Sequence, residues 1–265
     1  MAVSMAARST SQAPAVLSSS RMRPCGQMIG ERTCLSAHQR RLRDGRHTRT
    51  RIRQLFDLDA EPTVIDAHLT QGGLGALVAK RPGVRIPGTI DGFDVALRAI
   101  LRGRARAGRG KASSDPARRV AWALGEPLET GIPALSRLAP SATRVADAGS
   151  ARLEALGIPR RRAAAAVAVA RLVADGTLRL ERGSDVAATR RALTEIAGVT
   201  DQGATTIVMR ALYWPDALST TDRALQRAAG VSTARELRAR AERWRPWRAY
   251  AAMHLWLEEE ARSRR

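Results

Sequence analysis

Apolar residues recur at helical spacing through most of the chain from Ile52 onward. The clearest example is the segment 92–101, whose predicted buried face holds Phe93, Ala96, Leu97, Ile100 and Leu101. Residues three, four, seven and eight positions apart share one side of a helix. No stretch alternates apolar and polar residues over several strands, which argues against a sheet. The pattern therefore predicts an all-α domain of short helices.

Turn-forming residues indicate where these helices end. They lie at 82–88, 125–127, 157–159, 175–176, 198, 214–216 and 230. Glycine and proline favour turns at such positions because of their special backbone conformations. Residues 102–111 contain arginine and glycine but no core-forming residue beyond alanine, so we expect an exposed loop there. The helical domain is predicted to span residues 51–262.

Residues 1–50 differ from the rest in composition. They mix Ser, Arg, Pro and Gly, with almost no apolar periodicity and no hydrophobic stretch of the signal-peptide type. We expect a disordered, basic N-terminal segment, for which a wrongly chosen start codon or a degenerate leader is a simpler explanation than an organelle transit peptide. The spacing of Cys25 and Cys34 fits no common metal pattern, so neither a disulfide nor a metal site is predicted.

The charge of the chain narrows the choice of partners. The formal net charge is +20, and most of the excess lies in residues 1–53, with 11 basic and 2 acidic side chains, and 102–119, with 7 and 1. Such a protein attracts nucleic acid in a salt-dependent manner, although ribosomal and membrane-surface proteins share this property. Arginine accounts for nearly all basic residues, which reflects a GC-rich coding sequence as much as chemistry. The longest apolar run, 163–170, is far shorter than the about 20 residues that span a bilayer, so no membrane location is expected.

The segment 193–212 is the first candidate for binding. Leu193 and Ile196 end one apolar helix face, a turn containing Gly198 follows, and a second apolar face begins at Ala204. Such a helical hairpin can aim backbone N–H groups at a phosphate oxygen. The same spacing also fits an ordinary hairpin that binds no ligand.

Two further features lie after the hairpin. Asp222 follows hydroxyl residues and opens a helix, where it is either a functional carboxylate or an ordinary first-turn acid. The segment 241–256 contains three of the five tryptophans, with arginines between them. Its aromatic side chains either stack on a base or belong to the core.

Together, these features resemble the helix-hairpin-helix DNA glycosylase superfamily, and within it the DNA-3-methyladenine glycosylase II group. The resemblance runs from about Arg53 to Trp256. It includes the segments 55–60, 90–93, 156–159 and 243–250, the hairpin and Asp222. The run 243–250 is the most specific of these signals, and Asp222 falls where the family has its essential aspartate.

The resemblance implies a fold of two helical lobes with a cleft between them. The implied activity is monofunctional hydrolysis of the N-glycosidic bond of alkylated purines in duplex DNA. Asp222 would stabilise the oxocarbenium-like sugar and help orient the attacking water, and Trp256 and Tyr250 would lie near the base pocket. The residues implied to bind the DNA backbone are Gly198, Thr200, Gln202, Gly203 and Ala204.

The hairpin departs from the family pattern at three consecutive positions. Thr200 replaces the second glycine, Asp201 brings a negative charge toward DNA, and Gln202 replaces the usual tryptophan. We therefore expect a weaker grip on DNA and weaker base stacking. Gln202 also stands where bifunctional relatives have a lysine nucleophile, so no lyase activity is expected.

The sequence also departs from the family after Leu101, at the N-terminus and in the cysteines that bind a cofactor in some relatives. The family's Gly-Gln-Gln-Val-Ser-like run after Leu101 is replaced by the stretch 102–111, and we expect no counterpart of the β-rich N-terminal lobe in residues 1–50. The four-cysteine iron–sulfur signature of some relatives is absent, and neither a cofactor nor a metal is expected.

Two alternatives remain open at the level of sequence. One is a catalytically impaired, DNA-binding remnant of the same family, and the other is a basic helical interaction protein unrelated to DNA. For the enzyme, double-stranded DNA with alkylated bases is the expected partner. A monomer in the bacterial cytoplasm, associated with the nucleoid, is the expected state.

Overall fold

The computed structural model of the protein describes residues 45–102, 115–132 and 135–264. The helices are α1 (Gly45–Leu55), α2 (Pro62–Leu69), α3 (Gly75–Lys80), α4 (Gly92–Arg102), α5 (Pro116–Leu124), α6 (Ala142–Ala155), α7 (Arg160–Ala174), α8 (Val186–Glu195), α9 (Asp201–Ala211), α10 (Arg223–Ala228), α11 (Ala234–Ala241) and α12 (Arg248–Ser263). A π-helical turn, Thr70–Leu74, joins α2 to α3, and a 3-10 turn, Glu242–Trp244, follows α11. Across these three ranges, the only β-type pairing is an isolated bridge between Pro127 and Arg137. The prediction of an all-α domain is confirmed.

The first described helix begins earlier than the apolar pattern indicates. Helix α1 begins at Gly45, whereas the pattern predicts order only from Ile52. The reason is that Ile52 is the first apolar residue of α1, so the residues before it carry no periodic signal. The predictions for residues 1–44 and for the loop residues 103–111 lie outside the described residues.

Helix α4 lies in the centre of the core. All five residues of its predicted apolar face are buried, with at most 4% exposure. It packs against α5, α7 and α9. Helix α7 contributes a series of fully buried alanines, which allow close approach between helix axes. Helix α4 thus packs directly against α9, the second helix of the hairpin.

Side-chain caps fix where several helices begin. A side-chain oxygen accepts a hydrogen bond from a first-turn backbone N–H at Asp115, Ser141, Asp185, Thr200, Asp222 and Thr233. Such caps satisfy donors that have no partner within the helix. The turn signals of the sequence fall where the helices end. The order of helices could therefore be predicted from the sequence.

Helix α12 carries two buried polar residues, one turn apart. His254 is 1% exposed, and neither ring nitrogen has a hydrogen-bond partner among the described residues. Burial lowers the pKa of His254, and Arg81 adds to this effect while Asp66 opposes it. Glu258 instead accepts hydrogen bonds from Lys80 Nζ at 3.1 and 3.2 Å, which ties α12 to α3. The core around His254 therefore favours the neutral imidazole.

Replacing His254 with methionine should make the fold less sensitive to acid. In the unfolded chain the imidazole has its ordinary pKa of 6.5, and in the folded protein this pKa is lower. As the pH falls below 6.5, the unfolded chain therefore binds more protons than the folded protein does. His254 thus stabilises the fold at higher pH, and this contribution is lost as the pH falls. Urea unfolding from about pH 7 to about pH 5 should show a steeper loss of stability in the parent than in His254→Met. Equal slopes would contradict this account.

Candidate active site

Asp222 is a nearly buried carboxylate with four hydrogen-bond donors. The residue is 5% exposed and caps α10. Its Oδ1 accepts from the backbone N–H groups of Ala224 at 2.8 Å and Leu225 at 3.4 Å. Its Oδ2 accepts from Gln202 Nε2 at 2.6 Å and Trp256 Nε1 at 2.9 Å. Donors of this kind stabilise a negative charge and hold the carboxylate in one orientation.

The hairpin is formed by α8, α9 and the turn between them. Thr200 caps α9 in an extended conformation, with φ −89° and ψ 156°. Its Oγ1 accepts from the N–H of Gly203 at 3.0 Å, and its carbonyl accepts from the N–H of Ala204 at 2.9 Å. No left-handed conformation is needed at this position, so threonine is accommodated where the family has glycine. The N–H groups of Gly203 and Ala204, which we expected on phosphate, are used by the Thr200 cap and by the first backbone hydrogen bond of α9.

Gly198 is the residue of the turn that has to be glycine. Its φ is +108°, and a Cβ atom there would lie 2.6 Å from the carbonyl oxygen of Arg161 and 3.0 Å from Cβ of Ala165. Gly198 therefore packs against α7, while Ala197 and Thr200 are exposed. The turn is anchored on one side and open to solvent on the other.

Asp201 does not present a bare negative charge. It forms an ion pair with Arg190 of α8 and accepts hydrogen bonds from Ser219 Oγ at 2.8 Å and Thr221 Oγ1 at 3.2 Å. These contacts tie the beginning of α9 to the segment that precedes Asp222. Sequence reasoning missed Arg190 and Ser219. Their signal in the sequence is weak, because only the placement of Arg190 on one hairpin helix and Asp201 on the other suggests a pair.

A cavity of about 370 Å³ lies beside the hairpin. Its lining residues are Val95, Arg98, Ala99, Arg102, Thr200, Asp201, Gln202, Gly203, Thr206, Arg210 and Thr221. Burial is the main cause of the lowered pKa of Arg210, and the neighbouring positive charges of Arg102 and Arg98 add to it. Asp222 does not line this cavity, and its hydrogen-bond partner Gln202 does. The lining of the cavity is therefore rich in positive charge, and Gln202 connects it to Asp222 through a hydrogen bond.

The structure separates Tyr250 from the other candidate residues. Its hydroxyl donates to Asp57 Oδ2 at 2.7 Å, and burial raises the pKa of the phenol, as does this hydrogen bond. Tyr250 lines a second cavity of about 440 Å³ that contains neither Asp222 nor Trp256. Trp256 is six positions after Tyr250 in α12, and at about 100° per residue the two side chains point to different sides of the helix. The expectation that both aromatic residues lie at one pocket is therefore corrected for Tyr250.

Within the described ranges, no group of three or more His, Cys, Asp or Glu side chains is arranged to hold a metal ion. The helices in the same ranges are too short or too polar to cross a membrane.

Comparisons with known proteins place this arrangement in a family. The AlkA N-terminal domain family matches residues 27–91. This match corrects the expectation that nothing in residues 1–50 corresponds to the family's N-terminal lobe.

The DNA-3-methyladenine glycosylase 2 of Escherichia coli (strain K12) is 32% identical over 209 residues, which cover 79% of this chain and 71% of that protein. The chain belongs to this glycosylase family. The "probable bifunctional transcriptional activator/DNA repair enzyme AlkA" of Mycobacterium tuberculosis (strain H37Rv) is 36% identical over 211 residues. That match covers 78% of this chain but 41% of the mycobacterial protein, so the chain spans less than half of that relative.

The family's fold also appears in a more distant solved structure. The 3-methyladenine DNA glycosylase of Archaeoglobus fulgidus has a TM-score of 0.68 at 18% identity, over 82% of this chain and 77% of that one. The predicted helix-hairpin-helix glycosylase fold is confirmed.

Replacing Gly198 with alanine should destabilise this glycosylase fold more than the same change at Gly183. Both residues have positive φ, +108° and +93°, but a Cβ at Gly183 meets nothing within 4 Å. Each variant has left-handed backbone strain of about 1–2 kcal/mol. Gly198→Ala adds the collision with α7, which is worth roughly another 1–3 kcal/mol. Denaturant unfolding of both variants measures the difference, and equal losses would show that the turn is not anchored on α7.

Proposed function

We propose that this protein is a monofunctional DNA N-glycosylase that removes alkylated purines, of the 3-methyladenine type, from duplex DNA. The observation that carries the proposal is the Asp222 carboxylate, which is almost fully buried and held by donors from α9, α10 and α12. An aspartate that served only as the cap of α10 would need no donors beyond the backbone N–H groups of Ala224 and Leu225. The donors from Gln202 and Trp256 also fix the second oxygen, beside a cavity of positive charge.

The chemistry follows from the charge of the reacting groups. As the glycosidic bond breaks, the sugar develops positive charge, and a fixed carboxylate in a site of low dielectric stabilises it. Asp222 has this role in the proposed mechanism and also orients the attacking water. A purine alkylated at N3 or N7 is cationic and leaves easily, so little acid assistance is required. The target nucleotide has to leave the stack of the duplex, and the half-buried indole of Trp256 supplies a ring beside it.

DNA binding in this proposal uses the beginning of α9. Backbone N–H groups at residues 200–202 and the positive end of the helix dipole favour a phosphate there. Arg102 and Arg210 add positive charge at the same cavity. These contacts are made to charged phosphates and do not depend on base identity. DNA binding should therefore weaken as the salt concentration rises.

The hydrolysis is proposed to end at an abasic site. The side chain of Gln202 is an amide, and an amide cannot form the Schiff base that strand cleavage by a lyase requires. The geometry gives no support to the impaired-remnant alternative, since the carboxylate and its four donors are all in place.

Asp222→Asn should strongly slow base release without unfolding the protein. Asparagine is as good a helix cap as aspartate, so α10 is kept while the negative charge is lost. Release of 3-methyladenine and 7-methylguanine from methylated duplex DNA should fall by about 100-fold or more. Asp185→Asn is the matched control, because Asp185 caps α8 through the N–H of Ala188 at 2.9 Å, at the end of α8 opposite the hairpin turn. It should release bases like the parent.

Three other outcomes would contradict parts of the proposal. Base release by Asp222→Asn at the rate of the parent would remove Asp222 from the reaction. A parent protein that shifts lesion-containing duplex without releasing a base would be a binding remnant. Strand breaks that appear before alkali treatment would contradict a monofunctional enzyme.

A further inference from the structure

We propose that Gln202 is a positioning residue for this reaction, and that its side chain holds the Asp222 carboxylate instead of contacting DNA. The inference rests on the proposed function of Asp222. It concerns the position at which the hairpin departs from its family by having glutamine in place of tryptophan.

The contact between the two side chains is the first support. Gln202 Nε2 lies 2.6 Å from Asp222 Oδ2, the shortest of the four hydrogen bonds to this carboxylate. The oxygen is shared with Trp256 Nε1 at 2.9 Å. A hydrogen bond to a charged group is stronger than one between neutral groups. Gln202 therefore determines the orientation of the carboxylate together with Trp256.

The backbone around Gln202 makes this contact rigid. Its carbonyl accepts from Thr206 Oγ1 at 2.9 Å, and the preceding residue, Asp201, is joined to Thr221 at 3.2 Å. Two neighbouring residues of α9 thus hold Thr221 and Asp222, the two residues that directly precede α10. Because the backbone is held, the Gln202 side chain is directed at Asp222 before any DNA arrives.

The position of Gln202 at the cavity explains why its hydrogen bond to Asp222 should affect the reaction. Gln202 lines the cavity and Asp222 does not. A sugar or water that approaches from this cavity meets the amide before the carboxylate. Loss of the amide should therefore change the chemical step, while contacts to the phosphates persist.

Kinetics distinguish this role from a contact to the DNA backbone. Gln202→Leu should lower the single-turnover rate at saturating enzyme by about 10- to 100-fold. The Kd for a duplex with a tetrahydrofuran abasic analogue should stay within about twofold of the parent. Gln202→Glu keeps the size of the side chain, removes the donor and adds a like charge beside Asp222. Its rate loss should be at least as large as that of the leucine variant.

Gln226 provides a matched control in the same part of the fold. Its amide donates to the carbonyl of Thr220 at 2.8 Å, two residues before Asp222, and does not contact the carboxylate. Gln226→Leu should leave both the rate and the Kd within about twofold of the parent. A Gln202→Leu variant with weaker DNA binding and an unchanged rate would overturn the inference, and so would a variant with neither effect.

A measurement without DNA separates this inference from the proposed function. In ¹H–¹⁵N spectra, the side-chain amide signal of Gln202 should move in Asp222→Asn, and that of Gln226 should stay in place. A Gln202 signal that does not move would overturn the inference even if the parent releases bases. A parent that releases no base would refute the proposed function, and a displaced Gln202 signal would still support the contact.

Discussion

The buried charge of Asp222 is the constraint on which the site depends. A carboxylate that is taken out of water costs several kcal/mol unless donors replace its hydration. Here the donors come from Gln202 on α9, from the first turn of α10 and from Trp256 on α12. The packing of these helices therefore sets the geometry of the carboxylate. Movement of either α9 or α12 would remove a donor from Oδ2, so the surrounding fold and the site are stabilised together.

The three unusual hairpin residues acquire partners inside the protein. Thr200 caps α9, Asp201 pairs with Arg190 and binds Ser219, and Gln202 binds Asp222. Each change is costly if it is considered alone, because it removes a flexible glycine, adds an acid near DNA or removes an aromatic ring. In the folded chain, Arg190 neutralises the charge of Asp201, and the amide of Gln202 binds the Asp222 carboxylate. The altered hairpin is thus linked to the residue proposed to carry out the chemistry.

Much of the fold could be predicted from the sequence, because it depends on local patterns. The apolar face of α4 and the ends of the helices follow from periodicity, glycine and proline. From its local sequence Asp222 is only a helix-opening acid, and the resemblance to the glycosylase family is what indicates a functional role for it. The bond from Gln202 to Asp222 joins residues 20 positions apart and depends on how α9 and α10 pack, which periodicity cannot show. The separation of Tyr250 from Trp256 could in principle have been predicted from their spacing along one helix. The beginning of α1 was not, because its first residues are polar.

In the proposed mechanism Asp222 is the partner of a positive charge on the sugar, and a binding measurement can test this without any turnover. Two duplexes differ only at one nucleotide, which carries a pyrrolidine, cationic at neutral pH, or an uncharged tetrahydrofuran ring. The parent should bind the pyrrolidine duplex more tightly by about 100-fold or more, as expected for an analogue of the transition state. This preference should disappear in Asp222→Asn. Equal affinity of the parent for both duplexes would contradict the central claim.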